Sequence, residues 1–364
     1  MRLIRSWTVL LAILALVLAS CASTAQSEAA SAAASASTEE PEESDASVAP
    51  EPSEDPVAGQ TVRVVYASDG VGINDFITKL AFDSLAERGL NVEYQFVAED
   101  TLGVQAVLQG DAEMAGGTPP VTINAHEQDP NIQFLAQYNR QAWSLASTAD
   151  ITDVEQLSGK TIAVHGETSF TKTVAELIID EYDLQDVEVL IIPGSDVRAQ
   201  ALLSGQIDAT VLDIQDVALA SEQAPGEINV LVRFSQLFPE LTSVRFTANK
   251  EWIDGNRPLA KEIVKALAIA NREAVADPDA TVAAAQEEYS DQDPAVVEAI
   301  IRAFIEGDHW VLDGGMSEEN AMSELQFYLD AGQTTLEPTE ENVESLYRLD
   351  ILNEVLDDVG REEE

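Results

Sequence analysis

Two stretches of this chain echo each other at a fixed distance, and the echo limits the possible folds more than any single motif does. Val92-Glu93 opens a β-branched segment, and thirteen residues after Val92 comes Gln105-Ala106-Val107-Leu108-Gln109-Gly110. Val187-Glu188 opens another, and thirteen residues after Val187 comes Gln200-Ala201-Leu202-Leu203-Ser204-Gly205. The offset is 95 in both places, and it also sets Thr118 opposite Asp213, each just after a strand. Self-similarity on this scale marks a supersecondary unit used more than once.

The hydrophobic pattern says what the unit is. Residues 62–68 (VRVVYAS), 91–97, 161–165 (TIAVH), 187–192 (VEVLII) and 207–212 (IDATVL) read as strands. Between them, residues 73–88 carry apolar groups at helical spacing (Phe76, Leu80, Phe82, Leu85). Helices are also expected over 102–109, closed by Gly110, and over 171–179 and 195–203. Short strands joined by helices of this length predict βαβ units in parallel, doubly wound Rossmann-like sheets, the α/β class. From Pro258 onward the pattern turns helical, with Leu259, Ile263, Leu267 and Ala270 on one face. Three or four more helices are expected over 295–359.

The first sixty residues are of another kind. Arg2 and Arg5 precede an unbroken apolar run over 9–18 (VLLAILALVL), too short to span about 30 Å of hydrocarbon at about 1.5 Å per helical residue. This is the pattern of a secretory signal. Leu18-Ala19-Ser20-Cys21 resembles the lipobox of bacterial lipoproteins, which implies a signal peptide over 1–20 and acylation of Cys21. Cys21 is the chain's single cysteine, so it can form no intramolecular disulfide. Residues 22–60 hold Ala, Ser, Pro and nine acids with no base, a composition expected to be a disordered tether. Setting aside Arg2, Arg5 and those nine acids from the 19 bases and 66 acids leaves a net charge near −40 for the remaining body. Such a surface repels nucleic acid and anionic membranes.

Open α/β sheets bind ligands beyond the carboxyl ends of their strands, where helix N-termini present free N–H groups. The expected walls are the strand-to-helix loops: Ser68-Asp69-Gly70, Gly116-Gly117-Thr118, Gly166-Glu167-Thr168-Ser169, and Asp213. The hydroxyl residues among them also suit plain N-caps. Arg140, beside Tyr138-Asn139 at a strand end, could reach an anionic group, or equally form a surface ion pair. Phe170, Tyr138 and Trp143 could stack on a ring, with Trp143 better placed in core or hinge. The acids Asp69, Glu167 and Asp213 would instead suit a cation or a hydroxylated heterocycle. No cofactor or metal is expected.

Two longer motifs carry a family resemblance. Glu155-Gln156-Leu157-Ser158-Gly159-Lys160-Thr161-Ile162-Ala163-Val164 resembles the "D-L-x-G-K-x-I-x-V" entry to the second lobe of substrate-binding proteins of ABC importers. Gln200 to Ala209 (QALLSGQIDA) resembles their "A-L-x-x-G-x-I-D-A". The helical tail with Trp310 and Gly332 is similar to the branch that handles nitrate, aliphatic sulfonates, taurine and thiamine precursors. The resemblance implies a type II periplasmic-binding fold, two lobes joined by two crossing segments, with a C-terminal helical tail. It places lobe 1 at 61–146 plus 238–300, lobe 2 at 147–237, and helices over 301–364 on lobe 1, after a tether over 21–60. It implies a monomer held at the outer face of the cell membrane by its lipid. That monomer would deliver a small molecule to an ABC permease driven by a cytoplasmic ATPase. Ser158 departs from the family's lysine, and Leu212 replaces an aromatic often found before the aspartate at Asp213, which leaves the ligand class open.

The rivals are an exported lipid-anchored enzyme and a sensor subunit on the same fold. His126, His165 and His309 are scattered, and no G-x-S-x-G or H-E-x-x-H occurs. A thiamine-precursor synthase of the yeast type shares the fold, but its chemistry belongs in the cytoplasm, which the lipobox argues against.

Overall fold

A computed structural model describes residues 55–68, 70–166 and 169–362. The expected signal peptide, Cys21 and the expected tether as far as residue 54 lie outside the described residues, as do Asp69, Glu167 and Thr168.

Ten strands form two five-stranded sheets. The strands are β1 (Thr61–Tyr66), β2 (Asn91–Phe96), β3 (Met114–Gly117), β4 (Ile132–Arg140), β5 (Trp143–Thr148), β6 (Thr161–Val164), β7 (Glu188–Ile191), β8 (Ala209–Asp213), β9 (Ile228–Arg233) and β10 (Thr242–Asn249). The first sheet runs β2-β1-β3-β10-β4 and the second β7-β6-β8-β5-β9. The helices are α1 (Phe76–Glu87), α2 (Asp100–Gln109), α3 (Pro119–Gln128), α4 (Phe170–Glu181), α5 (Ser195–Leu203), α6 (Ile214–Gln223) and α7 (Phe234–Leu237). A helical region follows: α8 (Lys250–Gly255), α9 (Arg257–Ala276), α10 (Pro278–Glu288), α11 (Pro294–Glu306), α12 (Glu318–Asp330), α13 (Glu340–Leu346) and α14 (Leu349–Val359).

The repeat is real in three dimensions. Helices α2 and α5 follow the edge strands β2 and β7, and both end in a left-handed glycine, Gly110 (φ 75°) and Gly205 (φ 68°). A residue with a Cβ would be strained there. Strands β3 and β8 then lead into N-caps at Thr118 and Asp213.

The sheets are mixed, not wholly parallel as the pattern suggested. β10 runs antiparallel to β3 and β4, and β5 runs antiparallel to β8 and β9. The cause is the crossing. β4 ends at Arg140 and β5 starts at Trp143, so the chain enters the second sheet at the end where its parallel strands finish. It returns to the first sheet between Arg233 and Thr242.

The ordered body starts earlier than composition suggested. Val57 lies fully buried in the first core, Asp55 pairs with Arg88 at 2.8 Å, and the Gly59 amide donates to the Gly89 carbonyl at 2.9 Å. One well-placed valine and one arginine partner hold 55–60, although their neighbourhood is Pro, Ala and acids.

One core fills the first lobe, where α1 and α9 pack under the sheet and α14 joins through Ile351, Leu352, Val355 and Leu356. A second cluster sits in the other lobe around Leu145, Ile162, Val164, Val211 and Phe234. The C-terminal helices are pinned by a buried ion pair between Arg245 on β10 and Glu324 on α12, at 2.8 Å. Thr242 donates its amide and hydroxyl to Glu324, Tyr347 donates to its other oxygen, and the Arg245 guanidinium lies about 5 Å from the Phe134 and Tyr347 rings. With both charges so satisfied, the pair is tolerable inside a core. No helix among the described residues is long and apolar enough to cross a membrane.

Candidate functional site

The carboxyl ends of the parallel strands in both sheets meet around one short turn. After β1 the chain passes Ser68, whose hydroxyl donates to the Gly70 carbonyl at 2.8 Å, and forms a single 3₁₀ turn at Ile73–Asp75 before α1. The Asn74 side-chain amide donates to the Asp213 carboxylate at 3.4 Å, a contact from the first lobe to the second. The Asn139 amide donates to the Asn74 carbonyl at 3.2 Å, and the Tyr138 hydroxyl hydrogen-bonds Asp75. Three of the expected residues, Tyr138, Asn139 and Asp213, therefore converge on Asn74-Asp75. The sequence reading missed this pair because it began a regular helix at Ile73. The signal was there in two polar residues at the first turn after a strand.

The cleft carries perturbed acids. Burial pushes the Asp213 carboxyl up to about 7, and the charges of Asp216 and Asp75 add to the shift against hydrogen bonds from Gln215 and Asn74. Burial likewise lifts Asp75 to about 6, opposed by its bond to Tyr138. Asp216 is raised by burial and by Asp196. Acids shifted in this way are candidates for a functional site, since they can take up a proton or accept a hydrogen bond near neutral pH.

The two lobes hold their N-caps by the same contact with the chemistry exchanged. In the first, the Thr118 amide and hydroxyl donate to one oxygen of Asp100 on α2, at 2.9 and 2.6 Å. In the second, the Asp213 amide donates to the Ser195 hydroxyl on α5 at 3.2 Å. Asp100 and Ser195 are again 95 apart. The carboxylate sits on the helix in one lobe and on the strand end in the other. Thr118 consequently spends its hydroxyl on Asp100 and makes no side-chain cap bond, whereas Asp213 caps α6 through the Gln215 amide at 2.9 Å.

The remaining expected residues serve local geometry. Gly166 donates its amide to the Ser169 hydroxyl at 3.1 Å, and Ser169 caps α4 by accepting from the Lys172 amide. Thr168, like Asp69, is outside the described residues. Phe170 packs edge-on to Phe234 at 6.4 Å. Trp143 is half-buried against the second core and pairs with Asp213 across the sheet. Tyr138 is corrected: its ring lies 4.7 Å from Phe246 and is 1% exposed, so no ring can stack on it. It offers the site a hydroxyl and no aromatic face. Gly116 makes room for it, since a Cβ there would meet that hydroxyl at 3.0 Å and Tyr66 at 3.3 Å.

Behind the cleft, the crossing segments form a polar junction. The Arg140 amide donates to the His309 carbonyl at 2.8 Å. His309 is held down to about 4 by burial and by the charges of Arg233 and Arg140. The Gln141 side-chain Oε1, the Ser235 hydroxyl, His309 Nδ1 and Trp310 Nε1 are buried there without hydrogen-bond partners. The sequence singled out none of Gln141, Ser235 or Arg233, because nothing in their spacing shows that two crossings and the tail come together. Among the described residues no group of three His, Cys, Asp or Glu side chains is placed to hold a metal ion. His165 is exposed, and its Nδ1 accepts from the Gly194 amide at 3.3 Å.

The family model described as NMT1/THI5 like matches residues 85–281, more than half of the chain. The chain belongs to the NMT1/THI5-like family. No curated protein sequence matches it. Among solved structures, the periplasmic aliphatic sulphonate binding protein SsuA of Escherichia coli is similar, with TM-score 0.60 and 14% identity over 79% of this chain and 92% of that one. The periplasmic nitrate-binding protein NrtA of Synechocystis PCC 6803 is similar at TM-score 0.58 and 13% identity, over 83% and 89%. A Candida albicans protein described as having the generic periplasmic binding protein fold aligns at TM-score 0.55 and 13% identity, over 79% and 96%. At these identities the likeness establishes the NMT1/THI5-like chain's fold, the two-lobed periplasmic-binding architecture that its motifs implied.

Proposed function

We propose that this protein is an extracytoplasmic solute-binding subunit, held at the outer membrane face by acylated Cys21, that captures a small molecule between its lobes and delivers it to an ABC import permease. The observation that carries the reading is the direct contact between lobes at Asn74 and Asp213, made at the strand ends where open sheets bind ligands. A solute that bridges those groups favours the closed form by its differential affinity, the requirement for a hinged trap. A solute from the nitrate, sulfonate, taurine and thiamine-precursor group is the reading that the motif resemblance suggests, and the sulphonate- and nitrate-binding neighbours support its first two members. Within that set, Asp75 and Asp213 favour a molecule carrying amine or amide donors, with Arg140 at the strand end for any anionic group. Ser68, Asp69, Gly70, Thr118, Asn139, Gly166, Thr168, Ser169 and Phe170 would complete the walls, with lobe 1 drawn as 61–146 plus 238–300 and lobe 2 as 147–237.

The test is a thermal-shift panel on the purified protein with nitrate, ethanesulfonate, taurine, thiamine and an aminopyrimidine. Binding to the native state alone adds about 2.7 kcal/mol at a hundredfold excess over Kd. A rise in Tm with one donor-bearing solute is the expected result. No shift across the panel refutes the reading, and a shift with nitrate alone refutes the assignment of Asp75 and Asp213.

A further inference from the structure

A cavity of about 610 Å³ opens in the first lobe between the start of β4, the first turns of α12 and α14, and the side of α13. β4 runs antiparallel to β10, and β10 antiparallel to β3, so β4 points the same way as β3 and begins at the end of the sheet away from the cleft. From Gln133, which lines the cavity, to Arg140 at the crossing is seven residues of strand, roughly 23 Å at about 3.3 Å each. The cavity therefore stands apart from the site between the lobes.

Its polar groups call for a ligand with N–H donors. Gln133 is 4% exposed, and its Nε2 donates to the Ser345 carbonyl at 2.5 Å, which fixes its Oε1 as an acceptor; that oxygen is buried without a partner. A recess of about 10 Å³ shares Met316, Arg348 and Leu349 with the cavity and is lined by Gln137, whose Oε1 is likewise buried without a partner. Buried acceptors left unmet are costly, and a donor that reaches them is favoured. The charges around the cavity narrow the choice. Lys250 is taken by Asp254 at 2.5 Å, and Arg348 by Asp254 and Asp350 at 2.8 and 2.9 Å. Among the described residues that leaves Glu318 and Glu344 with no basic partner, and Arg361, which donates to the Asn353 side chain at 2.9 Å, with no acidic one. Glu318 sits in the first turn of α12, where it answers the helix dipole. Glu344 stands next to Ser345, the residue that holds Gln133. A simple anion would face unmet acceptors and acids, and a simple cation would leave Arg361 without a counter-charge.

We propose that this cavity is a second ligand site, for a small zwitterion that carries a primary ammonium and a carboxylate, as amino acids do. The ammonium donates to Gln133 Oε1 and pairs with Glu344, and the carboxylate pairs with Arg361. Val343, Tyr347 and Leu349 supply an apolar wall for the short chain between the two charges. Occupancy ties the start of β4 to α13 and to the chain after α14, so it strengthens the seat of the helical tail on the first lobe.

The test is hydrogen exchange read by mass spectrometry, with affinities from calorimetry, on the purified full-length protein. The probes are glycine, β-alanine and γ-aminobutyrate, zwitterions of increasing length, with butylamine and butyrate as single-charge controls. One of the zwitterions is expected to protect peptides covering α13 and the starts of α12 and α14, and to bind at least about tenfold more tightly than either control. Glu344→Gln and Arg361→Gln, both at exposed positions, are each expected to weaken that binding about tenfold while leaving the ligand-free Tm unchanged. Protection confined to peptides around Asn74 and Asp213 would assign the probe to the cleft and overturn the second site. Butylamine or butyrate binding as tightly as the best zwitterion overturns the ligand class, and full affinity in either variant overturns the placement of its charges. No protection by any probe refutes the proposal outright.

Discussion

Replacing Asp213 with asparagine isolates the charge at the centre of the cleft. The Asp213 carboxyl is pushed up to about 7 from an ordinary value of 3.8, chiefly by burial. Below pH 3.8 both the folded and the unfolded chain hold the proton, and the group contributes nothing to the balance. Between 3.8 and 7 the unfolded chain has released its proton while the folded chain retains it, so stability falls as pH rises. Above 7 the loss is complete. The gap of about three pH units, at about 1.4 kcal/mol each, sets an upper bound of about 4 kcal/mol. The side chain is only half-buried, and solvent screening brings the expected cost to about 2 kcal/mol.

Asparagine keeps the oxygen that accepts from Gln215 and Asn74 and removes the charge. The ligand-free variant should therefore be about 2 kcal/mol more stable than wild type at pH 8, about 3 °C in Tm for a body of this size. The advantage should fade to nothing near pH 4. Calorimetry and urea melts at pH 4, 6 and 8 measure it. A variant no more stable than wild type at pH 8 would refute the buried charge. A gain that persists at pH 4 would place the effect in the helix cap. The same variant should bind a donor-bearing solute more weakly, because the strain in the empty cleft is what such a donor relieves.

Two further outcomes follow from other parts of the molecule. Glu324→Ala should cost about 3–5 kcal/mol in urea melts by leaving Arg245 buried without its partner, whereas the double change Arg245→Met with Glu324→Leu should cost less than the single one; a single variant within 1 kcal/mol of wild type, roughly the worth of a surface pair, would show that the pair does not pin the tail. Cys21→Ser should release the protein from membranes into the medium when fractions are immunoblotted, and retention by the membrane would end the lipid-anchor reading.

What could be read in advance divides along physical lines. The repeat was legible because a βαβ unit writes its own period, with β-branched strands, an amphipathic helix and a glycine where the helix must turn left-handed. Ser195–Leu203 was bounded to the residue, and Gly110 stood where the first copy ends. Strand direction was not legible, because an antiparallel strand sandwiched in an α/β sheet is as apolar as its parallel neighbours. Tyr138 misled for a related reason. β4 is buried on both faces, and its eight buried residues give no alternation to say which side meets solvent and which meets Phe246. The Asn74–Asp213 contact joins residues 139 apart, across two lobes, and no local pattern encodes it.

The repeat keeps the frame and redistributes the charge. Asp100 and Thr118 in one lobe do what Ser195 and Asp213 do in the other: the residue at the start of one helix anchors the amide of the next helix's N-cap. Exchanging acid and hydroxyl leaves that anchor intact in both lobes, so the exchange is nearly free for the fold. For the cleft it matters a great deal. Asp100 is engaged by both the amide and the hydroxyl of Thr118, while Asp213 is aimed at Asn74 across the lobe boundary and held near neutrality by its surroundings. A duplicated unit with identical charges would present a ligand with the same chemistry from both sides. The exchange gives the second lobe a carboxylate that the first lobe meets with an amide. On the proposed reading, a solute that entered between them would replace the Asn74–Asp213 contact and meet an acceptor on one wall and an amide donor on the other, an asymmetry that would fix its orientation before the lobes closed.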